Sequence, residues 1–301
     1  MKNALKYYYN IETEIIHQIN KKYKFTSMNK KYILCPFTRN YDEIEEIYNL
    51  HQFIRLNKIY CHMIIPNNNR ELITKINSIP YVLLQIQIEE RSITEKDIFN
   101  ITKIKIDTEQ YKKITRKNWY YLWQSKIDYI EYQITQFKKK YPLINESSPY
   151  YIGIIENCIE MLANINETKS IKTISHNRIE NKEKTEDFYN PLNFIIDHRC
   201  RDLGEYIKKN TQEIDIINII NEYLINNQTS IEEAKLLFLR IIYPSEYIDC
   251  CEKILNKRKK EKKIMKIITN VEIKEKKIKE TYKILKRIIP LDNIEWLEKR
   301  S

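Results

Sequence analysis

Two glycines, Gly153 and Gly204, are all that this chain of 301 residues contains. Backbone that wraps a phosphate group uses glycine where a Cβ would block close approach or where a left-handed dihedral is required. Neither G-x-x-x-x-G-K-[ST] nor G-x-G-x-x-G can be assembled from two glycines so far apart, so both glycine-rich nucleotide cradles are excluded. A nucleotide would have to be held without such a loop, which argues against a competent phosphotransferase.

The length allows two modest domains or one large one, and 42% hydrophobic residues point to a globular chain. No uncharged apolar stretch reaches the roughly 18 residues of a membrane span. Residues 1–6 carry no apolar run, which predicts a chain without a secretory signal. The six cysteines, Cys35, Cys61, Cys158, Cys200, Cys250 and Cys251, form no C-x-x-C pair and have no histidine at zinc-finger spacing. Buried reduced thiols are therefore expected. Net charge is +11, and residues 253–287 hold fifteen basic against four acidic side chains. Such an excess favours an acidic partner or a solvated helical face, but no nucleic-acid-binding motif accompanies it.

The richest segment is Asn193-Phe194-Ile195-Ile196-Asp197-His198-Arg199-Cys200-Arg201-Asp202-Leu203-Gly204-Glu205-Tyr206-Ile207. A β-branched run ends on Asp197, and a carboxylate at a strand end is where kinase-like phosphotransferases hold a Mg²⁺ ion bridging nucleotide phosphates. Asp202 is expected to open a helix, either as a simple N-cap or as part of a braced catalytic loop. Nineteen positions before Asp197 lies Arg178, in Ile174-Ser175-His176-Asn177-Arg178. Kinase-like catalytic loops read His-x-Asp at about this distance. His176 keeps the histidine, but Arg178 takes the place of the catalytic Asp, and a guanidinium cannot accept a proton from a hydroxyl. Five residues on, where a metal-ligating Asn is expected, stands Glu183, with Asn181 and Asn190 as displaced alternatives.

These blocks, with Trp119-Tyr120-Tyr121-Leu122-Trp123, Lys126-Ile127-Asp128-Tyr129-Ile130-Glu131, Pro149-Tyr150-Tyr151-Ile152-Gly153-Ile154-Ile155-Glu156-Asn157 and Ala234-Lys235-Leu236-Leu237-Phe238-Leu239-Arg240-Ile241-Ile242-Tyr243-Pro244, resemble the kinase-like spore-coat proteins of endospore-forming bacteria. This is the CotS/YutH family, and the YutH branch is the nearer. Five short blocks in order over roughly residues 115–250 make a moderately specific signal. The resemblance implies an α+β, bilobal, protein-kinase-like (aminoglycoside-phosphotransferase-like) fold, synthesis in the mother-cell cytoplasm, deposition in the spore coat, and other coat proteins as partners.

Within that frame, residues 1–92 read as the small lobe, 93–113 as a connector, 114–247 as a helical lobe with a degenerate catalytic loop, and 248–301 as a basic helical tail that either packs or projects. In the small lobe a strand at 31–36, a helix at 42–56 with Ile44, Ile47, Leu50 and Ile54 on one face, and strands at 61–66, 71–76 and 81–86 about an Asn67-Asn68-Asn69 turn are predicted. Cys35 then takes the place of the lysine that pairs with phosphate, and a thiol cannot do that work. Lys31 is close by, and Glu43, Glu45 and Glu46 are the glutamates such a lysine would pair with; without it, solvated surface is expected. In the large lobe, Trp119, Leu122, Trp123, Ile127, Ile130, Ile134 and Phe137 repeat at helical spacing, as do Ile152, Ile155, Ile159 and Leu162; further helices are expected at 203–207, 214–224 and 234–242. The expectation is a catalytically degenerate coat protein with no cofactor required, retaining at most residual binding of ATP and Mg²⁺ at Asp197. The rival is a small-molecule phosphotransferase with Asp187 or Glu183 standing in as base.

Overall fold

The computed structural model describes residues 1–180, 182–210, 215–291 and 293–298, so Asn181 and Ile214 lie outside the described residues. It divides into two compact units, one of residues 1–116 and 172–197, the other of residues 117–171 and 198–301. These boundaries differ from the four segments read from the sequence. Residues 172–197, which carry His176, Arg178 and Asp197, group with the N-terminal sheet.

The first unit is built on an antiparallel sheet of β1 (Ile16–Ile19), β2 (Lys22–Ser27), β3 (Lys30–Pro36), β4 (Met63–Ile65), β5 (Thr74–Ile76) and β6 (Ile79–Gln85). The strand order is β1-β2-β3-β6-β4, with β5 also paired to β6. The helix Ile44–Leu56 buries Ile44, Ile47, Leu50 and Ile54 as its spacing predicts. The helix Lys2–Tyr9 and the strands β1 and β2 were not anticipated. Leu5 and Tyr9 of that helix join Phe25, Leu34, Ile76, Tyr81 and Leu83 in one buried cluster, and the Tyr9 hydroxyl bonds Thr74 Oγ1 at 2.8 Å. The connector also holds a helix, Glu95–Thr102, started by a capping box between Thr94 and Asp97.

With so little glycine, left-handed backbone falls to other residues. The β2–β3 turn places Met28 (φ 47°) and Asn29 (φ 58°) there, and the β5–β6 turn Asn77 (φ 49°) and Ser78 (φ 64°). Two-residue hairpins require this handedness, and asparagine tolerates it best after glycine. The β1–β2 hairpin is equally short, because Ile19 pairs with Lys22 and only Asn20 and Lys21 turn the chain.

Two further strands, β7 (Lys172–His176) and β8 (Phe194–His198), pair with each other, and the short helix Thr185–Phe188 lies between them in sequence. The second unit is helical. Its helix Trp119–Phe137 buries Trp119, Trp123, Ile127, Ile130 and Ile134, whereas Leu122 is exposed. The helix Pro142–Ala163 buries Tyr151, Ile154, Ile155, Cys158 and Leu162, a face rotated from the predicted one. Among the described residues, no helix is long and apolar enough to cross a membrane.

The basic tail packs. Ile264, Ile267, Tyr282 and Leu285 are buried, and the Tyr282 ring lies 5.6 Å from that of Phe238. Glu261 Oε1 accepts the backbone N–H of Ile144 at 3.2 Å, and the Tyr150 hydroxyl donates to Glu275 at 2.6 Å. Ile288, near the end of this segment, stays exposed.

Candidate functional site

His176 ends β7 almost fully buried. Its Nε2–H donates to the carbonyl of Phe188 at 2.6 Å, and its ring stacks on Phe188 at 4.1 Å and meets Phe194 edge-on at 5.3 Å. It therefore ties the end of β7 to the helix Thr185–Phe188 and to β8. Arg178 is exposed two residues beyond. Asp197 is 1% exposed near the end of β8, where its neighbour Ile196 exchanges backbone bonds with Ile114 and Arg116.

Glu183 is buried, and its Oε2 accepts the backbone N–H of Glu180 at 2.5 Å. Burial, reinforced by the charge of Asp187, holds its carboxyl above the usual range, with the bond from Glu180 opposing. Asn190 spends its Oδ1 on the N–H of Leu192 at 2.9 Å. Neither is turned into a metal ligand. Among the described residues, no three His, Cys, Asp or Glu side chains converge to hold a metal ion. Magnesium bridging phosphates takes at least one or two carboxylate-type oxygens facing an open site. Asp197 is the carboxylate that the spacing assigns to this role and it is almost fully buried, while Glu183 is committed to its own loop.

Cys35 is buried on β3, and desolvation pushes its thiol up to about 12 despite the nearby Lys22. A neutral thiol there offers nothing to a phosphate. The register of β2 on β3 pairs Tyr23 with Leu34 and Lys24 with Ile33, so one step further Lys22 falls beside Cys35. Cross-strand neighbours share a face, which puts Lys22, Lys24, Ile33 and Cys35 together, opposite to the Phe25 and Leu34 cluster. Lys31 alternates onto that same face but is exposed.

The two β2 lysines meet two consecutive carboxylates of the helix Thr185–Phe188. Lys22 Nζ lies 2.5 Å from Asp187 Oδ1, and Lys24 Nζ lies 2.7 Å from Glu186. Burial alone would lower the pKa of Lys22, but the bond and charge of Asp187, helped by Cys35 and Glu186, raise it above the ordinary lysine value. That helix is itself fixed by buried groups. The N–H of Gln87 donates to His62 Nδ1 at 3.3 Å, so the His62 proton sits on Nε2 and is donated to the carbonyl of Glu186 at 3.0 Å. Thr185 Oγ1 donates to the carbonyl of Glu89 at 2.7 Å.

The expected partner glutamates are committed elsewhere. Glu43 pairs with Arg39, whose Nη1 also donates to the carbonyl of Phe194 at 2.6 Å, and Glu46 accepts the backbone N–H of Lys113 at 2.9 Å. Only Glu45 is solvated surface. Lys22, Lys24 and Glu186 escaped the sequence reading, although the alternation Lys22-Tyr23-Lys24-Phe25 was a visible strand signal.

In the second unit, Asp202 is fully buried, but it is the second residue of the helix Arg201–Lys209 rather than its N-cap, a place taken by Cys200. The run Ile195-Ile196-Asp197 extends through His198 before the chain turns, which shifts the helix start toward Cys200. His198 connects Ser170 (2.9 Å to Nδ1) and Glu167 (2.8 Å from Nε2), the residue types of a hydrolase triad with the two ring nitrogens exchanged. Glu167, however, also accepts the N–H groups of Trp119 and Tyr120, and all three members are buried. This is a sealed brace at the start of the helix Trp119–Phe137.

A sequence model of the family described as spore coat putative kinase YutH matches residues 2–287. The endospore coat-associated protein YutH of Bacillus subtilis (strain 168) is 27% identical over 154 residues, a match that spans 44% of this chain and 45% of that relative, less than half its length. Among solved structures, an aminoglycoside phosphotransferase from Alicyclobacillus acidocaldarius superposes with a TM-score of 0.67 at 6% identity, over 92% of each chain. The spectinomycin phosphotransferase APH(9)-Ia, solved with ADP and spectinomycin, does so with 0.61 at 13% identity, over 98% of this chain and 95% of that one. At such identities the likeness establishes the fold, which is aminoglycoside-phosphotransferase-like.

Proposed function

This chain belongs to the spore coat putative kinase YutH family, and we propose that it is a catalytically degenerate member, serving a structural or assembly role in the endospore coat. The observation that carries the reading is the double ion pair of Lys22 with Asp187 and Lys24 with Glu186. It commits the cations nearest to Cys35, and with them the carboxylate that a displaced general base would need. Arg178 in the base position and Glu183 bonded within its own loop support the same conclusion. Phosphoryl transfer depends on positioning and electrostatic stabilisation, so loss of the base, the lysine and the glycine cradle together removes most of its means.

On this reading the chain is made in the mother-cell cytoplasm and deposited in the coat, and its partners are other coat proteins. The packed tail presents its lysines as a charged surface of the second unit, suited to an acidic coat partner. ATP consumption with Mg²⁺ and a panel of hydroxyl and amine acceptors tests the proposal. The expected result is no acceptor-dependent turnover.

A further inference from the structure

The cation missing at position 35 is carried one strand over. Lys22 falls beside Cys35 in the sheet register, and Lys24 follows on the same face, so β2 presents two ammonium groups one strand repeat apart. Each is met by a carboxylate from a single four-residue helix, Asp187 and Glu186. These side chains are only partly exposed, from 11% for Glu186 to 42% for Asp187, so the pairs sit in a less screened setting than free surface pairs. The platform behind them is rigid, being held by His62 at the Glu186 carbonyl, His176 at the Phe188 carbonyl and Thr185 at the Glu89 carbonyl. An open groove of about 1020 Å³ has Lys24 and Glu186 among its walls, together with His17 and Lys31. A ligand thus has a way to the Lys24–Glu186 pair, beside which the half-exposed Lys22–Asp187 pair follows on the same strand face.

We propose that Asp187 and Glu186 act as built-in substitutes for the oxyanions of an oligophosphate ligand, occupying Lys22 and Lys24 and keeping shut an anion site that β2 would otherwise offer. The inference rests on the non-catalytic reading proposed above and adds an autoinhibitory contact to it. Two carboxylates on adjacent helical residues match two lysines at alternate strand positions, as two neighbouring phosphate groups would. Neither member of the latch lies in the His176–Arg178 or Asp197 blocks: one half is on β2 and the other on the helix Thr185–Phe188.

The test uses the full chain with Glu186→Gln and Asp187→Asn together, near-isosteric changes that keep hydrogen-bond acceptors but remove both charges. Binding of inorganic tripolyphosphate, without metal, is read by calorimetry. The double variant is expected to bind about tenfold or more tightly than wild type, and adding Lys22→Gln is expected to abolish that gain. The exchange Lys22→Asp with Asp187→Lys keeps a pair and is expected to stay as weak as wild type. Equal binding by wild type and double variant, or a gain that survives Lys22→Gln, overturns the latch. If the double variant lacks a cooperative melt, Asp187→Asn alone is read by the same criteria. ATP turnover by wild type is a separate readout, which strikes the non-catalytic reading, whereas equal binding strikes the latch.

Discussion

A methyl group at position 204 would lie 2.8 Å from Arg240 Cγ and 2.9 Å from its Cβ, so the helices Arg201–Lys209 and Ile231–Ile242 approach at a point that only glycine allows. Gly204→Ala gains helix propensity, about 1 kcal/mol, but must push the root of a buried arginine whose Nε lies 2.8 Å from Glu205. Overpacking of this kind costs about 1–3 kcal/mol, so denaturant melts are expected to show net destabilisation; a stabilised variant would mean that Arg240 moves freely. Two other residues set the acid response. Burial, together with the charge of Arg55, lowers the pKa of His51 to about 4, and burial lowers that of His62 to about 4 against the opposing bond to Glu186. A histidine with a depressed folded pKa binds its proton first in the unfolded chain, so stability falls as pH drops from about 6.5 toward 4, by roughly 3 kcal/mol for each group. Urea midpoints measured between about pH 7 and 4.5 should decline steadily, and a flat profile would place these imidazoles in contact with water. At this scale Arg178 was named from its spacing to Asp197, and Cys35 from its place in a strand. Lys22 was not named, because nothing in a linear sequence announces which lysine of a neighbouring strand lies beside a given cysteine.

Among elements, the tail makes the sharpest case. Its charge suggests an arm, yet Ile264, Ile267, Tyr282 and Leu285 are buried in the second unit. Burying each such side chain is worth about 1.5–3 kcal/mol, against a total stability of about 5–15 kcal/mol for an ordinary domain. Removal of everything from residue 257 onward is therefore expected to leave an insoluble chain or one without a cooperative melt of the second unit. A truncated protein that melts cooperatively near the full-length temperature would return the tail to the status of a mobile arm. The strands at 31–36 and 81–86 and the helix at 42–56 were readable because their apolar residues recur at one clean period. β1 and β2 were missed because they carry the exposed His17 and the polar Lys22 and Lys24, the last two paired with carboxylates distant in sequence. Asp202 was misplaced for a similar reason: capping preference marks a helix start only to within a residue or two.

For the whole molecule, the kinase-like fold and the spore-coat family were both recoverable from a handful of short blocks in a fixed order, and the family match over residues 2–287 and the phosphotransferase superpositions agree with that reading. What the blocks could not convey is the pairing of β2 with a helix more than 160 positions away. On the function proposed above, these ion pairs accompany a loss of chemistry. The most direct measurement follows ATP consumption by the purified full-length protein with Mg²⁺, over hours, with and without the acceptor panel. The expected result is no acceptor-dependent rate above background, and the same null result for an Arg178→Asp variant, because a carboxylate restored at one position leaves Cys35 in place and Lys22 paired. Turnover near about 1 per second, the lower end of ordinary kinases, would contradict it.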